Sequence, residues 1–125
     1  PTPDGEHLYF TSATAPVVFK FDLADKTWMR DADDPIRLYD SDQQTLHHGA
    51  MGPNGVLYVT SFNRDALYLF DTNCDERLAG PIDLGTSTSM LEGPHGIALV
   101  ADGPRTRAYY IMSLAHAMGR VDLRF

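Results

Sequence analysis

The chain has 125 residues, of which 17 are Asp or Glu and 10 are Lys or Arg, so its formal net charge is −7 with histidine neutral. Binding to a nucleic-acid backbone requires a basic face, so this balance argues against a nucleic-acid partner. No apolar stretch approaches the ~18 residues of a membrane-spanning helix. The single cysteine, Cys74, excludes an internal disulfide.

Short β-branched and aromatic runs, separated by Gly, Pro, Asn and Asp, cover the chain and predict an all-β fold. Three Asx-Gly turns each precede an apolar strand, and they are Asp4-Gly5, Asn54-Gly55 and Asp102-Gly103. A second apolar strand then ends on Asp22, Asp71 or Asp122, so the module recurs about every 50 residues. Such a repeat of short strands is typical of a β-propeller.

We label the strands of a module A, B, C and D, from the innermost to the outermost of a four-stranded blade. The predicted strands, in chain order, are B 7–12, C 17–22 and D at 27–30 or 36–39, then A 46–51, B 56–61, C 66–71 and D 78–83, then A 95–100, B 108–113 and C 119–124. The pattern therefore predicts antiparallel four-stranded blades, about 2.5–3 in number.

The predicted blades divide the chain into one partial propeller over residues 1–125. Blade 1 covers about 1–44 and lacks its first strand, blade 2 covers about 45–91, and blade 3 covers about 92–125 and lacks its last strand. A propeller needs roughly four to eight blades to close a ring. We therefore expect the chain to be part of a larger propeller, or to complete its ring by oligomerisation with a protein partner or with further copies of itself.

Aromatic residues on the B and C strands are predicted to fill the space between neighbouring blades. These core candidates are Tyr9, Phe10, Phe19, Phe21, Tyr58, Tyr68, Phe70, Tyr109 and Tyr110.

Two His-Gly pairs supply the candidate site. His48-Gly49 and His95-Gly96 start the predicted A strands, and an alignment of the modules makes them equivalent. If A strands line a central channel, both imidazoles lie at one mouth, where the B–C loops would add Asn63, Arg64 and His116. Imidazoles in such a cluster could bind Zn, Cu or Fe, or act as acid and base. The alternative is structural, with each imidazole bonded to the backbone of a neighbouring blade.

The module resembles the YVTN and NHL groups of β-propeller repeats. The resemblance rests on the His-Gly start of the A strand, the Asx-Gly turn, and Leu57-Tyr58-Val59-Thr60-Ser61, which is close to the tetrapeptide that names the first group. It covers nearly the whole chain and implies the propeller fold. Related propellers include cell-surface proteins, periplasmic quinoprotein subunits, lactonases and binding modules, so the resemblance favours a periplasmic or extracellular location and leaves the cytoplasm open.

These observations favour a non-catalytic propeller module used for binding or assembly, and they assign no catalytic residue and no cofactor. The alternative is a metal- or cofactor-dependent propeller enzyme, a lactonase-like hydrolase or a periplasmic oxidoreductase, with its site at the channel mouth. A lactonase-like enzyme would place Glu, Asn and Asp around a central calcium, whereas this chain has His48 and His95 at the first-strand positions.

Overall fold

The computed structural model describes residues 1–38, 46–85 and 92–124, and within these ranges all regular structure except one short 3₁₀ turn is β-strand. The first sheet contains β1 (His7–Thr11), β2 (Val17–Asp22), β3 (Thr27–Arg30) and β4 (Ile36–Arg37). The second sheet contains β5 (Leu46–Met51), β6 (Val56–Ser61), β7 (Ala66–Asp71) and β8 (Glu76–Asp83). The third sheet contains β9 (Pro94–Asp102), β10 (Arg105–Met112) and β11 (Ala117–Arg124).

All three sheets are antiparallel and follow the order of the chain. The second sheet has the order β5-β6-β7-β8 and the third β9-β10-β11, while in the first β1, β2 and β3 are neighbours and β4 also pairs with β2. The predicted all-β class and antiparallel sheets are therefore confirmed. The blade boundaries predicted at 44–45 and 91–92 fall beside or within segments outside the described residues.

The predicted strands agree closely with the observed ones, because period-2 patterning and turn residues are local signals. β2, β5, β6 and β7 have the predicted bounds. Both candidates for the last strand of the first sheet are strands: β3 pairs with the Asp22 end of β2, and β4 with its Val17 end. Residue 39 of the second candidate lies outside the described residues. β9 and β10 are longer than predicted because their ladder continues to the pair Asp102↔Arg105.

The three closing acids have the same register. His7 pairs with Asp22, Val56 with Asp71, and Arg107 with Asp122. Equivalent positions in the three sheets can therefore be read from the pairing. Three cross-strand pairs that correspond to one another are Tyr9↔Lys20, Tyr58↔Leu69 and Tyr109↔Arg120. Their neighbours one residue along, which point to the opposite face, are Phe10↔Phe19, Val59↔Tyr68 and Tyr110↔Gly119.

The sheets stack face to face in the same sense. We call the face that carries Tyr9, Tyr58 or Tyr109 the forward face of its sheet, and the opposite face the rear face. The forward face of the first sheet packs on the rear face of the second, around Val18, Leu46, Leu57, Val59, Tyr68 and Phe70. The forward face of the second packs on the rear face of the third, around Val56, Tyr58, Leu67, Leu69, Tyr110 and Met112.

The predicted aromatic core is confirmed where a sheet has a neighbour. Tyr58, Tyr68, Phe70 and Tyr110 are buried between sheets. Phe10 is 43% exposed because it lies on the rear face of the first sheet, which no described residue range covers with another sheet. The same rear face carries Phe19 and Phe21, which are only partly buried. Tyr109 is also partly buried, because it lies on the forward face of the third sheet, which no sheet of the described residues covers. Burial thus depends on the stacking rather than on the residue type.

Candidate functional site

The structure brings His48 and His95 together at the edge strands β5 and β9, which pack against one another. Their ring centroids are 4.3 Å apart, and the planes meet at 69° in an edge-to-face arrangement. His48 is exposed and His95 is half-buried. The predicted proximity of these two side chains is therefore confirmed, whereas their role as ligands stays a prediction.

One hydrogen bond orients the His48 ring, and the Thr60 hydroxyl links the backbone groups beside it. Its Nδ1 lies 3.1 Å from the backbone oxygen of His95, which also accepts a 2.8 Å bond from the Thr60 hydroxyl. The Thr60 oxygen in turn accepts a bond from the His48 backbone N–H at 3.4 Å. Because a carbonyl oxygen only accepts, Nδ1 of His48 must carry the proton, and in the neutral ring the lone pair is then on Nε2. That nitrogen is the one available for a metal or a proton.

Both histidines lie where the strand register shifts. The pairing of β5 with β6 skips between Leu46 and Gly49, and that of β9 with β10 is irregular opposite Ile111, between Tyr110 and Met112. Such bulges redirect side chains locally. Leu46 pairs with Ser61, the last residue of β6, and Pro94 pairs with Met112, the last residue of β10. Leu46 and Pro94 therefore occupy equivalent positions. The residue after Pro94, His95, thus corresponds to the residue after Leu46, which is His47 rather than His48. The equivalence predicted by aligning the two His-Gly pairs was therefore wrong by one residue.

The other predicted site residues lie in the loops that follow β6 and β10. Asn63 and Arg64 form part of a 3₁₀ turn, Phe62–Arg64, in which the Ser61 hydroxyl donates to Asn63 Oδ1 at 3.4 Å. His116 is exposed at the left-handed position of the β10–β11 turn, with φ 51°. Within residues 1–38, 46–85 and 92–124, His116 makes no ring contact or hydrogen bond with the His48–His95 pair.

Asp65 positions the segment that leads to His95, a role that sequence reasoning missed. Its buried carboxylate accepts the backbone N–H of Glu92 at 3.0 Å and that of Gly93 at 2.7 Å. Its own backbone oxygen accepts the N–H of Leu84 at 2.7 Å. An acid next to Asn63-Arg64 in a loop gave little signal, because the groups it bonds are distant in sequence. Asp65 thus ties the β6–β7 loop to the connection between the second and third sheets.

Gly93 also helps to position the segment that leads to His95. Its φ is +66°, and a Cβ at this position would lie 2.6 Å from the Phe62 ring. A side chain here would therefore push Phe62 away. The Phe62 ring meets His95 edge-on, with centroids 6.3 Å apart. The small residue before Pro94 lets Phe62 pack against both the connection and His95.

A second group of possible ligands lies before β1, where single ligand atoms of Asp4, Glu6 and His7 come within 4.8 Å of one another. Asp4 Oδ1 already accepts bonds from the Thr2 hydroxyl and the Glu6 backbone N–H. These two bonds, the Thr2 bond first, lower the pKa of Asp4. His7 Nε2 lies 3.8 Å from Asp22. This group stabilises the turn into β1.

In residues 1–38, 46–85 and 92–124, no helix has the length and apolar character needed to cross a membrane. Comparison with family models, with curated proteins and with solved structures finds no match to this chain.

Proposed function

We propose that this chain is an assembly module of the propeller type, whose first and third sheets each accept a further sheet on their outward face. The observation that carries the proposal is the repeated stacking. Phe10 and Phe19, exposed or half-exposed on the rear face of the first sheet, have the register positions that Val59 and Tyr68 have in the second. In the second sheet these two side chains, Val59 and Tyr68, are completely buried.

The rear face of the first sheet is strongly aromatic. The Trp28 ring is 51% exposed and has its centroid 5.5 Å from that of Phe10 and 5.2 Å from that of Phe21. A cleft of about 340 Å³ opens beside it, lined by Phe19, Trp28, Asp31 and Ala32. Contiguous exposed apolar patches of this kind are typical of interaction surfaces. Burying one large apolar side chain in such an interface stabilises the complex by about 1.5–3 kcal/mol.

The forward face of the third sheet is apolar at its centre and cationic at its margin. Ile111 is 52% exposed and Met118 is 75% exposed, and they border a cleft of about 310 Å³. Arg107 and Arg120 lie on the same face, since their pairs alternate with the buried rear-face residues. Each of these arginines also contacts an aspartate, Arg107 with Asp102 and Arg120 with Asp122, whereas the charged side chain that borders the cleft of the first sheet is Asp31.

The proposal is tested by sedimentation velocity over a range of concentrations. We expect the isolated chain to self-associate as its concentration rises, because exposed sheet faces bury apolar area against one another. Phe19→Asp and Met118→Asp should each weaken association, one from each outward face. Leu78→Asp is the matched control, since Leu78 is 45% exposed but lies on β8, at the edge of the second sheet.

A chain that stays monomeric at the highest measurable concentration, or one whose association is weakened equally by Leu78→Asp, would contradict the proposal. In the first case the faces would not bind sheets of their own kind. In the second the binding would be nonspecific.

A metal-dependent role at the His48–His95 pair is the second candidate. The ring contact at 4.3 Å and the Nδ1–H of His48, which leaves Nε2 as the ligand atom, favour it. Two imidazoles suit Zn or Cu, with water or a substrate in the remaining positions. Titration of the chain with Zn²⁺ or Cu²⁺, compared with the His48→Ala and His95→Ala variants, tests this candidate.

A further inference from the structure

The contact between the first two sheets contains a charged clamp. Tyr9 and Lys20 are directly opposite on β1 and β2, and both reach Asp75 in the turn that follows β7. The Tyr9 hydroxyl donates to Asp75 Oδ1 at 2.5 Å, and Lys20 Nζ lies 2.8 Å from Oδ2. The ammonium group also lies 5.5 Å from the centre of the Tyr9 ring. One carboxylate is thus held by a phenol and a cation on one forward face.

The second sheet has only half of this clamp. Tyr58 is paired with Leu69, which replaces the cation. Tyr58 is fully buried, and its hydroxyl finds no hydrogen-bond partner among residues 1–38, 46–85 and 92–124. Of these two sheets, the first has a cation where an acid of the neighbouring sheet is bound, and the second has leucine where the described residues provide no acid.

The third sheet has the complete pair again, on its outward face. Tyr109 is directly opposite Arg120, at the register positions of Tyr9 and Lys20. Arg120 contacts Asp122 through Nε, at 3.1 Å, and its side chain is 54% exposed, so its terminal guanidinium nitrogens are donors that a further carboxylate can reach. The pair stands beside the exposed apolar centre of the face, at Ile111 and Met118.

We propose that Tyr109 and Arg120 bind a carboxylate carried by the sheet that docks on this face. The partner is an antiparallel sheet with Asp or Glu at the last residue of the turn that joins its third and fourth strands, the position of Asp75. This inference rests on the proposed function, because it names the partner of one of the two outward faces. Arginine suits the task because its donors match a carboxylate.

The chain itself has the wrong charge for this contact on its first sheet. The turn 23–26 corresponds to the turn 72–75, since Asp22 pairs with Thr27 and Asp71 with Glu76. The last residues of the two turns, Lys26 and Asp75, both have left-handed backbones, with φ 56° and 57°. A second copy that docks its first sheet on this face would thus bring Lys26 toward Arg120, and like charges repel.

This difference supplies a gain-of-binding test. Sedimentation velocity at low ionic strength compares Lys26→Asp with Lys26→Ala, which removes the cation without adding an acid. Because close interfacial charge pairs couple strongly, we expect Lys26→Asp to lower the self-association Kd by about tenfold relative to Lys26→Ala. Adding Arg120→Ala to Lys26→Asp should abolish the gain, and adding Tyr109→Phe should remove part of it.

The inference is overturned if Lys26→Asp associates no more tightly than Lys26→Ala, or if Arg120→Ala leaves the gain intact. Failure of the proposed function looks different, because Phe19→Asp and Met118→Asp would then have no effect on the wild-type chain. A wild-type chain that associates through these faces while Lys26→Asp gives no gain would reject the carboxylate clamp alone.

Discussion

Tyr9 and Tyr58 have the same register position in neighbouring sheets, yet their hydroxyl groups meet opposite environments. The Tyr9 hydroxyl donates to the Asp75 carboxylate at 2.5 Å, whereas the buried Tyr58 hydroxyl has no partner within the described ranges. One phenol therefore contributes a charge-assisted hydrogen bond, and the other leaves a polar group unsatisfied.

Removing the Tyr9 hydroxyl should lower stability, whereas removing the Tyr58 hydroxyl should not. Tyr9→Phe deletes a bond to a charged acceptor and should lower the free energy of unfolding by about 1.5–3 kcal/mol. Tyr58→Phe removes an unsatisfied buried group and should leave stability unchanged or raise it by up to about 1–3 kcal/mol. Urea denaturation of the two variants and the wild type measures both values. Equal losses in the two variants would show that Tyr58 has a partner that balances its burial.

The same hydroxyl predicts a loss of stability in alkali. Burial, followed by the hydrogen bond to Asp75, raises the pKa of Tyr9 far above its ordinary value of 10.0. The folded state thus holds the phenolic proton more tightly than the unfolded chain does. This stabilisation is complete below about pH 10 and is lost as the pH rises through the folded-state pKa.

Denaturation series from about pH 8 to about pH 11 should show this decline. Tyr9→Phe should flatten it. Tyr110→Phe should do so as well, because burial, and then Glu92, raises the pKa of Tyr110. Tyr109→Phe serves as the tyrosine control on the same strand. A decline that is identical in Tyr9→Phe and the wild type would contradict the prediction.

Asp65 should be among the residues whose loss is most destabilising. Asp65→Ala leaves the backbone N–H groups of Glu92 and Gly93 without their acceptor, which should cost about 2–4 kcal/mol. Asp65→Asn keeps one acceptor oxygen and tolerates the left-handed φ of 47°, so its cost should be about half as large. Chemical denaturation measures the difference, with the exposed Asp33→Ala as control. If Asp65→Ala unfolds no more easily than Asp33→Ala, the proposed tie between the sheets does not stabilise the fold.

Metal binding separates the two candidate functions. If the His48–His95 pair is a metal site, isothermal titration with Zn²⁺ or Cu²⁺ should show binding that His48→Ala and His95→Ala each weaken at least about tenfold, since each removes one of two imidazole ligands. His116→Ala should have no effect, because His116 makes no contact with the pair among the described residues. No heat of binding, or an equal effect of His116→Ala, would leave the pair with its structural role.

The strands and turns of this protein were predictable because their signals are local. Alternation of apolar residues and the Asx-Gly turns locate β5, β6 and β7 at their observed bounds. The contact between His48 and His95 was also predictable, because each lies near the start of the first strand of its module and the two modules are consecutive. The recurrence of Asp22, Asp71 and Asp122 anticipated their common register.

Only the tertiary structure decided which residues face a neighbour. Register shifts next to His48 and His95 depend on hydrogen bonds to β6 and β10, so a comparison of His-Gly pairs cannot reveal them. The role of Asp65 could not be read from the sequence either, because the backbone groups that it binds, at Glu92 and Gly93, are far along the chain. Tyr9, Tyr58 and Tyr109 have the same register position in three sheets, but their surroundings differ. Tyr9 is bonded to Asp75, Tyr58 is buried with no hydrogen-bond partner among the described residues, and Tyr109 faces outward. The stacking of the sheets makes that difference, because burial and hydrogen bonding are properties of the neighbour as much as of the residue.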